Sequence, residues 1–361
     1  MRRNDRRLSR REVLRIGVLG ALSAFVAACQ RAVEPITGVS APTAAPTQEI
    51  TPQSAPLVAV AAGDGIPVTA TADFYTVWYG TGDVPQIPAN WKLTITGQVN
   101  QELSFTLDAL KALPSFSEMR TLECISNPAG GDLISNAIWK GVRLKDLLTQ
   151  AGVKQGAKTL KLESFDGYST GIPVALGMHE HALLAYEMNG EPLPGEHGAP
   201  LRCLWPGRYG MKQPKWIQTI TVSDQDYAGY WEKQGWSYDA FVLPNSRIDT
   251  PSDLAEISTP TVTLAGIAYS GEAGIAKIEI AWDDTKEWNA AELARGPSPY
   301  TWTLWRWIGP ALPAGRHQMY ARVTDNSGQM QTKAQAVNLL GDTFPNGTSN
   351  MHSILLDFKS A

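Results

Sequence analysis

The chain has 361 residues, of which 43% are hydrophobic and 18% charged, and a formal net charge of -4. That length suffices for two domains with cores of their own, and no basic stripe follows the first residues, which argues against a nucleic-acid-binding role. Three cysteines are too few for a disulfide framework.

The N-terminus reads MRRNDRRLSRREVLRIGVLGALSAFVAACQ. A basic head ending in Ser9-Arg10-Arg11 is followed by an apolar run from Ile16 to Ala28, too short for a spanning helix and built as an export signal. The paired arginines resemble a twin-arginine signal, and FVAAC resembles a lipobox in which Cys29 is lipidated. Residues 1–29 are therefore expected to be a signal. The twin-arginine route carries folded proteins, as a chain loaded with a cofactor before export requires. Residues 30–70 include APTAAPTQEITPQSAP, without apolar periodicity, and are expected to be a disordered tether.

From Trp91 to Val99, WKLTITGQV alternates as a strand does. FTLDALKAL predicts a short helix capped by Thr106. MRTLECIS reads as a strand up to Cys124. Leu144, Leu147 and Leu148 have helical spacing that stops near Gly152. AKTLKLESFDGYSTGIP predicts a strand and a turn, ALLAYEMNGEPLP a strand entering an Asn189-Gly190 hairpin turn, and PKWIQTITVSD a further strand. This mixture predicts an α+β domain over 71–245. Beyond PNSRIDTPSD the text changes to alternating segments, VTLAGIAYSG, IAKIEIAWDD, YTWTLWRWIGP and HQMYARVTDNSG, with TDNSGQMQ as the turn of a last hairpin. These predict an immunoglobulin-like β-sandwich over 255–345.

Two stretches carry chemistry. Cys124 lies in LECISNPAGGD with no CxxC partner. With Cys29 assigned to processing, only Cys203 could pair with it; a buried thiol is the other bland reading, and Cys203 itself reads as a small buried hydrophobe. GEHGAPLRCLWPGRYGMKQPKW gathers His197, Arg202, Arg208, Lys212 and Lys215 among glycines and tryptophans. Glycines allow close main-chain approach, and arginine and lysine suit a phosphate-bearing ligand; a solvated basic loop is the alternative. His179 and His181 flank Glu180, a weak zinc pattern without HExxH, better read as a polar turn. Trp302, Trp305 and Trp307 around Arg306 could present a carbohydrate-binding face, but their spacing favours sandwich core and interface.

LECISN with GDLISNAIWKGVRLKDLL, and later HGAPLRCLWPGRYGMKQPKW, resemble the sulfite oxidase family of molybdopterin enzymes in order and spacing. The resemblance runs from about Phe74 to Gln331. It implies a sulfite-oxidase-type molybdopterin-binding domain followed by an immunoglobulin-like dimerisation domain, with molybdenum-molybdopterin as cofactor. It implies that Cys124 is the one protein ligand to molybdenum, where a soft thiolate suits the metal. It also implies that His197, Arg202, Gln213, Pro214 and Lys215 hold the pterin and its phosphate, with Ser169, Thr170 and Gly171 nearby.

The departures bear on substrate. The family's arginine five residues after the cysteine is here Ala129, and FYTVWYGTGDVP lacks the family's Arg-Asn-His motif. A dianion in a desolvated pocket needs compensating charge, so sulfite is disfavoured. Trp78, Tyr79 and Trp236 imply a more aromatic mouth. The sequence thus predicts an extracytoplasmic oxidoreductase, membrane-tethered through a lipid anchor, that transfers an oxygen atom to or from a small substrate. It has no CxxCH haem motif, so a separate electron-transfer partner, a cytochrome or membrane redox protein, is expected, with a homodimer formed by the C-terminal domain. The rivals are a binding or adhesion lipoprotein that keeps the fold without the metal, and a true sulfite oxidase.

Overall fold

The computed structural model describes residues 65–80, 83–284, 286–333 and 342–360. The signal, Cys29 and most of the expected tether lie outside these residues. The last tether residues do not. Thr69 N donates to Asn136 O at 2.7 Å, Pro67 O accepts from Asn136 Nδ2 at 3.0 Å, and Ile66 packs on a buried apolar cluster. The folded body therefore begins a few residues before the expected boundary at 71.

The first part is built on two five-stranded sheets. One is ordered Leu103–Phe105, Leu93–Gly97, Ile217–Ser223, Thr159–Ser164, Ser169–Pro173. The other runs Ser115–Glu123, Ile134–Arg143, Leu183–Met188, Glu191–Pro192, with Arg202–Leu204 also pairing Leu183–Met188. The helix Leu144–Ala151 buries Leu144, Leu147, Leu148 and Ala151 between them and stops at Gly152, which takes the left-handed conformation at φ 68°. Thr106 accepts from Ala109 N at 3.2 Å and caps the helix Leu107–Lys111. Asn189 and Gly190, both at positive φ, close a two-residue hairpin turn.

The second part places Asn245–Thr250, Thr261–Tyr269, Thr303–Pro310 and Glu292–Ala294 in one sheet. The other sheet contains Glu256–Ile257, His352–Phe358, Gly315–Asp325, Ile275–Trp282 and Asn289–Ala290. Both line one apolar core that includes Leu264, Ile278, Trp305, Met319 and Leu356. This β-body exceeds the expected 255–345 at both ends. Asn245–Thr250 lies in the PNSRIDTPSD stretch expected to mark the boundary but pairs with Thr261–Tyr269, and the alternating HSILLDF segment supplies a late strand. Among the described residues the turn after Asp325 leads to an isolated Thr324–Met330 bridge rather than to a full hairpin strand.

Trp305 and Trp307 lie in that core, and Trp302 is buried at the junction of the two parts, so the three tryptophans present no binding face. Cys203 is sealed in the first core, and neither it nor Cys124 is in a disulfide. The junction is itself apolar. Ile125, Ile134, Tyr209 and Met211 from the first part meet Ile267, Tyr269, Trp302 and Leu304 from the second.

Candidate active site

Cys124 leaves the end of the strand Ser115–Glu123 and opens a loop that returns at Leu133. Its N–H donates to Leu133 O at 2.9 Å, and Asn127 N–H donates back to Cys124 O at 3.0 Å. The Sγ is 3.1 Å from Ser126 Oγ. Burial pushes the thiol up from its ordinary pKa, while the Ser126 contact pulls it down and Glu123 adds to the rise. Neighbouring Glu123 is buried, with its carboxyl raised to about 7 by desolvation against bonds from Asn127 and Asn245. Three tyrosines, Tyr75, Tyr168 and Tyr209, lie within electrostatic reach of Cys124, and burial raises all three. No sequence motif points to them: Tyr168 directly precedes Ser169, but a tyrosine beside a turn has no distinguishing spacing.

The basic loop sorts into two groups. Lys212 is buried against Glu232 and also donates to Gly171 O at 2.9 Å. Arg208 stacks on Phe241, 3.7 Å from the ring centroid. His197, Arg202 and Lys215 form the other group. His197 Nε2 lies 3.0 Å from Thr71 O, which can only accept, so Nε2 carries the proton and the buried Nδ1 is a bare acceptor without a partner. Burial lowers His197 to about 4. Arg202 is 5% exposed; one Nη donates to His197 O at 3.2 Å while its Nε has no partner. Desolvation brings it down to about 10. Lys215 donates to Glu196 O at 2.7 Å and lies 4.2 Å from the Trp78 ring centroid. Burial, then Arg202, depress it well below the ordinary lysine value. Among the described residues neither Arg202 nor Lys215 forms an ion pair with a carboxylate.

Gly198 makes this approach possible. It sits at φ 115°, and a Cβ there would lie 2.9 Å from Lys215 Cβ and 3.3 Å from Arg202 Cβ. Trp216 N–H donates to Gly198 O at 3.2 Å and its indole to Gly195 O at 2.8 Å, folding the loop back on itself. Gln213 is spent inside the loop, accepting from Trp205 N at 3.1 Å and donating to Arg208 O at 2.6 Å. Pro214 O accepts from Cys203 N at 2.9 Å.

Ser169, Thr170 and Gly171 lie apart from His197 in their contacts. Ser169 Oγ is 2.8 Å from Tyr227 Oη, Thr170 donates to Glu232, and Gly171 receives Lys212. They brace the underside of the loop through the Lys212–Glu232 pair. The three aromatic residues are distributed along a wall. Trp78 packs on Trp216, Tyr79 on Tyr168 and Tyr230, and Trp236 on Trp231 and Phe344. The two histidines stay together, with ring centroids 5.6 Å apart and His181 N donating to His179 Nδ1 at 3.1 Å, but each faces a carboxylate: His181 meets Glu118 at 2.6 Å, His179 lies 3.9 Å from Glu272, and exposed Glu180 pairs with Lys145. No group of three metal ligands occurs among the described residues.

Residues 81–231 match the model of the oxidoreductase molybdopterin binding domain, and residues 240–346 that of the Mo-co oxidoreductase dimerisation domain. The oxidoreductase YuiH of Bacillus subtilis is 35% identical over 158 residues, 43% of this chain and 78% of that protein. The chain belongs to the sulfite oxidase family of molybdopterin oxidoreductases. Human mitochondrial sulfite oxidase is 29% identical over 311 residues, covering 72% of this chain but 57% of the human enzyme. The chain thus spans little more than half the length of the sulfite oxidases it matches. The sulfane dehydrogenase SoxCD of Paracoccus pantotrophus superposes with a TM-score of 0.66 at 22% identity, over 77% of this chain and 80% of that one, a likeness of fold. As a member of the sulfite oxidase family the protein is an enzyme whose cofactor is molybdenum-molybdopterin. The residues present fit such a group. Arg202 and Lys215 are buried cations with no ion-paired carboxylate among the described residues, and the unpartnered Arg202 Nε and His197 Nδ1 provide a donor and an acceptor. Such an arrangement is costly unless an anionic polar ligand completes it.

Proposed function

We propose that this enzyme works outside the cytoplasm, held to the membrane through lipidated Cys29, and transfers an oxygen atom to or from a small substrate with Cys124 as the one protein ligand to molybdenum. The carrying observation is the pair of buried cations Arg202 and Lys215, neither ion-paired with a carboxylate among the described residues, in the same domain as the free cysteine Cys124. When bound, the cofactor supplies a metal centre that can exchange an oxygen atom and two electrons. The chain's own residues bind and orient. Arg202 and Lys215 offset the cofactor's phosphate charge, His197 Nδ1 accepts from a polar edge, and the Gln213-Pro214 main chain lines the pterin. Cys124 acts as the thiolate. Burial raises the thiol above its ordinary pKa, and a bound metal would favour its deprotonated form.

The surroundings of Cys124 disfavour sulfite. Ala129 stands where the family has an arginine, and the charged side chain beside the Cys124 thiol, Glu123, is a carboxyl and offers an anion nothing. A neutral substrate against the aromatic wall of Tyr79, Tyr230 and Trp231 fits better. Electrons pass to or from a separate redox protein, and the C-terminal domain pairs two copies of the chain.

The test is molybdenum and pterin per chain after expression with the signal intact in a cofactor-competent host. The wild type should approach one of each. Cys124→Ser should keep pterin but lose the thiolate-to-molybdenum absorption, and Arg202→Met with Lys215→Met should lose pterin. Unchanged absorption in Cys124→Ser would remove the ligand role. Sulfite turnover by the loaded wild type would overturn the substrate reading.

A further inference from the structure

The loop that begins at Cys124 is closed at its base by its own residues, but its far end is held from the other domain. At the base, Cys124 N–H donates to Leu133 O, and Leu133 N–H donates to Asn127 Oδ1 at 3.0 Å. Glu123 accepts from Asn127 Nδ2 at 2.9 Å and, on the same oxygen, from the side chain of Asn245. Asn245 opens the first strand of the C-terminal sheet. Two residues on, Arg247 Nη1 donates to Gly131 O at 3.0 Å. The imidazole of His352, on the late strand His352–Phe358, lies on Gly130. A Cβ at Gly130 would stand 2.2 Å from His352 Cδ2 and 2.3 Å from Nε2. His352 is itself oriented, because its Nδ1 accepts from Ile248 N at 3.0 Å.

We infer that Asn245, Arg247 and His352 are positioning residues for the metal ligand: the C-terminal domain fixes the shape of the 124–133 loop and so sets where the Cys124 sulfur stands. Three separate contacts from two strands converge on the eleven residues 123–133, and a glycine is required at the point of closest approach. An apolar junction suffices to join two domains. A cation aimed at a loop carbonyl and a ring seated on a glycine add something else, a fixed path for residues 128–131. The same clamp holds Ala129, beside Gly130, at its place in the loop. The inference rests on Cys124 as the molybdenum ligand, but the clamp is measurable without metal.

The full chain, made in a host unable to synthesise molybdopterin, is treated with iodoacetamide, and labelling at Cys124 and Cys203 is followed peptide by peptide. Cys203, sealed in the first core, reports general opening. Arg247→Ala and His352→Ala should label Cys124 about tenfold faster, as release of a local opening equilibrium requires, with Cys203 unchanged. Arg247→Lys, which keeps a donor for Gly131 O, should restore most of the protection, and His352→Asn, which keeps the acceptor but not the ring, should not. In cofactor-loaded protein the two alanine variants should also shift the Mo(V) electron paramagnetic resonance signal. Unchanged Cys124 labelling in both alanine variants overturns the inference. Cys203 rising in step with Cys124, even in Arg247→Lys, overturns it too, because the contacts would then only hold the fold. A wild type that takes up no molybdenum while its variants lose Cys124 protection would sink the ligand assignment and leave the clamp standing.

Discussion

His197 shows how a single side chain ties the proposed cofactor site to stability. It is 1% exposed and its folded value is about 4, against an ordinary 6.5, chiefly because burial penalises the imidazolium. A depressed histidine is neutral in the fold and protonates more readily in the unfolded chain, so acid favours unfolding. In the cofactor-free chain this effect is absent above about pH 7, grows as pH falls through 6.5, and is complete below about 4, where it amounts to up to roughly 3 kcal/mol. His352, also lowered to about 4 by burial, acts in the same direction. Denaturant titrations of the cofactor-free full chain should show wild type losing stability between pH 6.5 and 4, and His197→Gln losing less over that window. Equal slopes for the two proteins would mean that His197 is not the neutral, sealed group described above. The two buried cations beside it are the residue-scale reason that an anion belongs there.

At the scale of elements, the turn around Gly198 decides whether those groups converge. Glycine is required there twice over, for φ 115° and for the 2.9 Å approach of Lys215 Cβ. Gly198→Ala should cost about 1–3 kcal/mol for the backbone and the clash together, and should reduce bound pterin because Lys215 is displaced from Arg202. Gly156→Ala makes the control. Its φ is 90° but a Cβ there meets nothing within 4 Å, so it should lose stability from the backbone alone and keep its pterin. Full pterin in Gly198→Ala would show that the turn does not organise the site. The elements themselves were largely legible in the sequence, because alternation, the Thr106 cap, the Gly152 stop and the Asn189-Gly190 turn are local signals. Within the basic loop, by contrast, local pattern could not separate Lys212 from Lys215. Only the tertiary position of Glu232 shows that one is neutralised and the other is not. For the same reason no local pattern gives the contacts that Ser169, Thr170 and Gly171 make with Tyr227, Glu232 and Lys212. Tyr75, Tyr209, Arg247 and His352 reach the Cys124 region across long sequence separations, and no spacing rule foretells such encounters.

At the scale of the whole molecule, the question is whether the two domains can come apart. The junction buries Ile125, Ile134, Tyr209 and Met211 against Ile267, Tyr269, Trp302 and Leu304. The segment before Thr303–Pro310 also bonds to the strand Ser115–Glu123, which leads into Cys124. Thr121 N donates to Tyr300 O at 2.9 Å, Trp302 N donates to Thr121 Oγ1 at 2.9 Å, and Thr301 Oγ1 donates to Met119 O at 3.1 Å. Full exposure of one large apolar side chain costs about 1.5–3 kcal/mol. Parting eight of them, even with incomplete exposure, therefore approaches the roughly 5–15 kcal/mol that holds a typical domain folded. Neither domain should then have an unfolding step of its own. Calorimetry on the cofactor-free chain should show one transition whose calorimetric and van't Hoff enthalpies agree, and Trp302→Ala should lower its midpoint before splitting it. Two transitions in the wild type would mean that the junction is weaker than its composition implies. A clamp on Cys124 that can open without unfolding would then be a gate on the site, whereas a single transition makes the C-terminal domain a permanent wall of it.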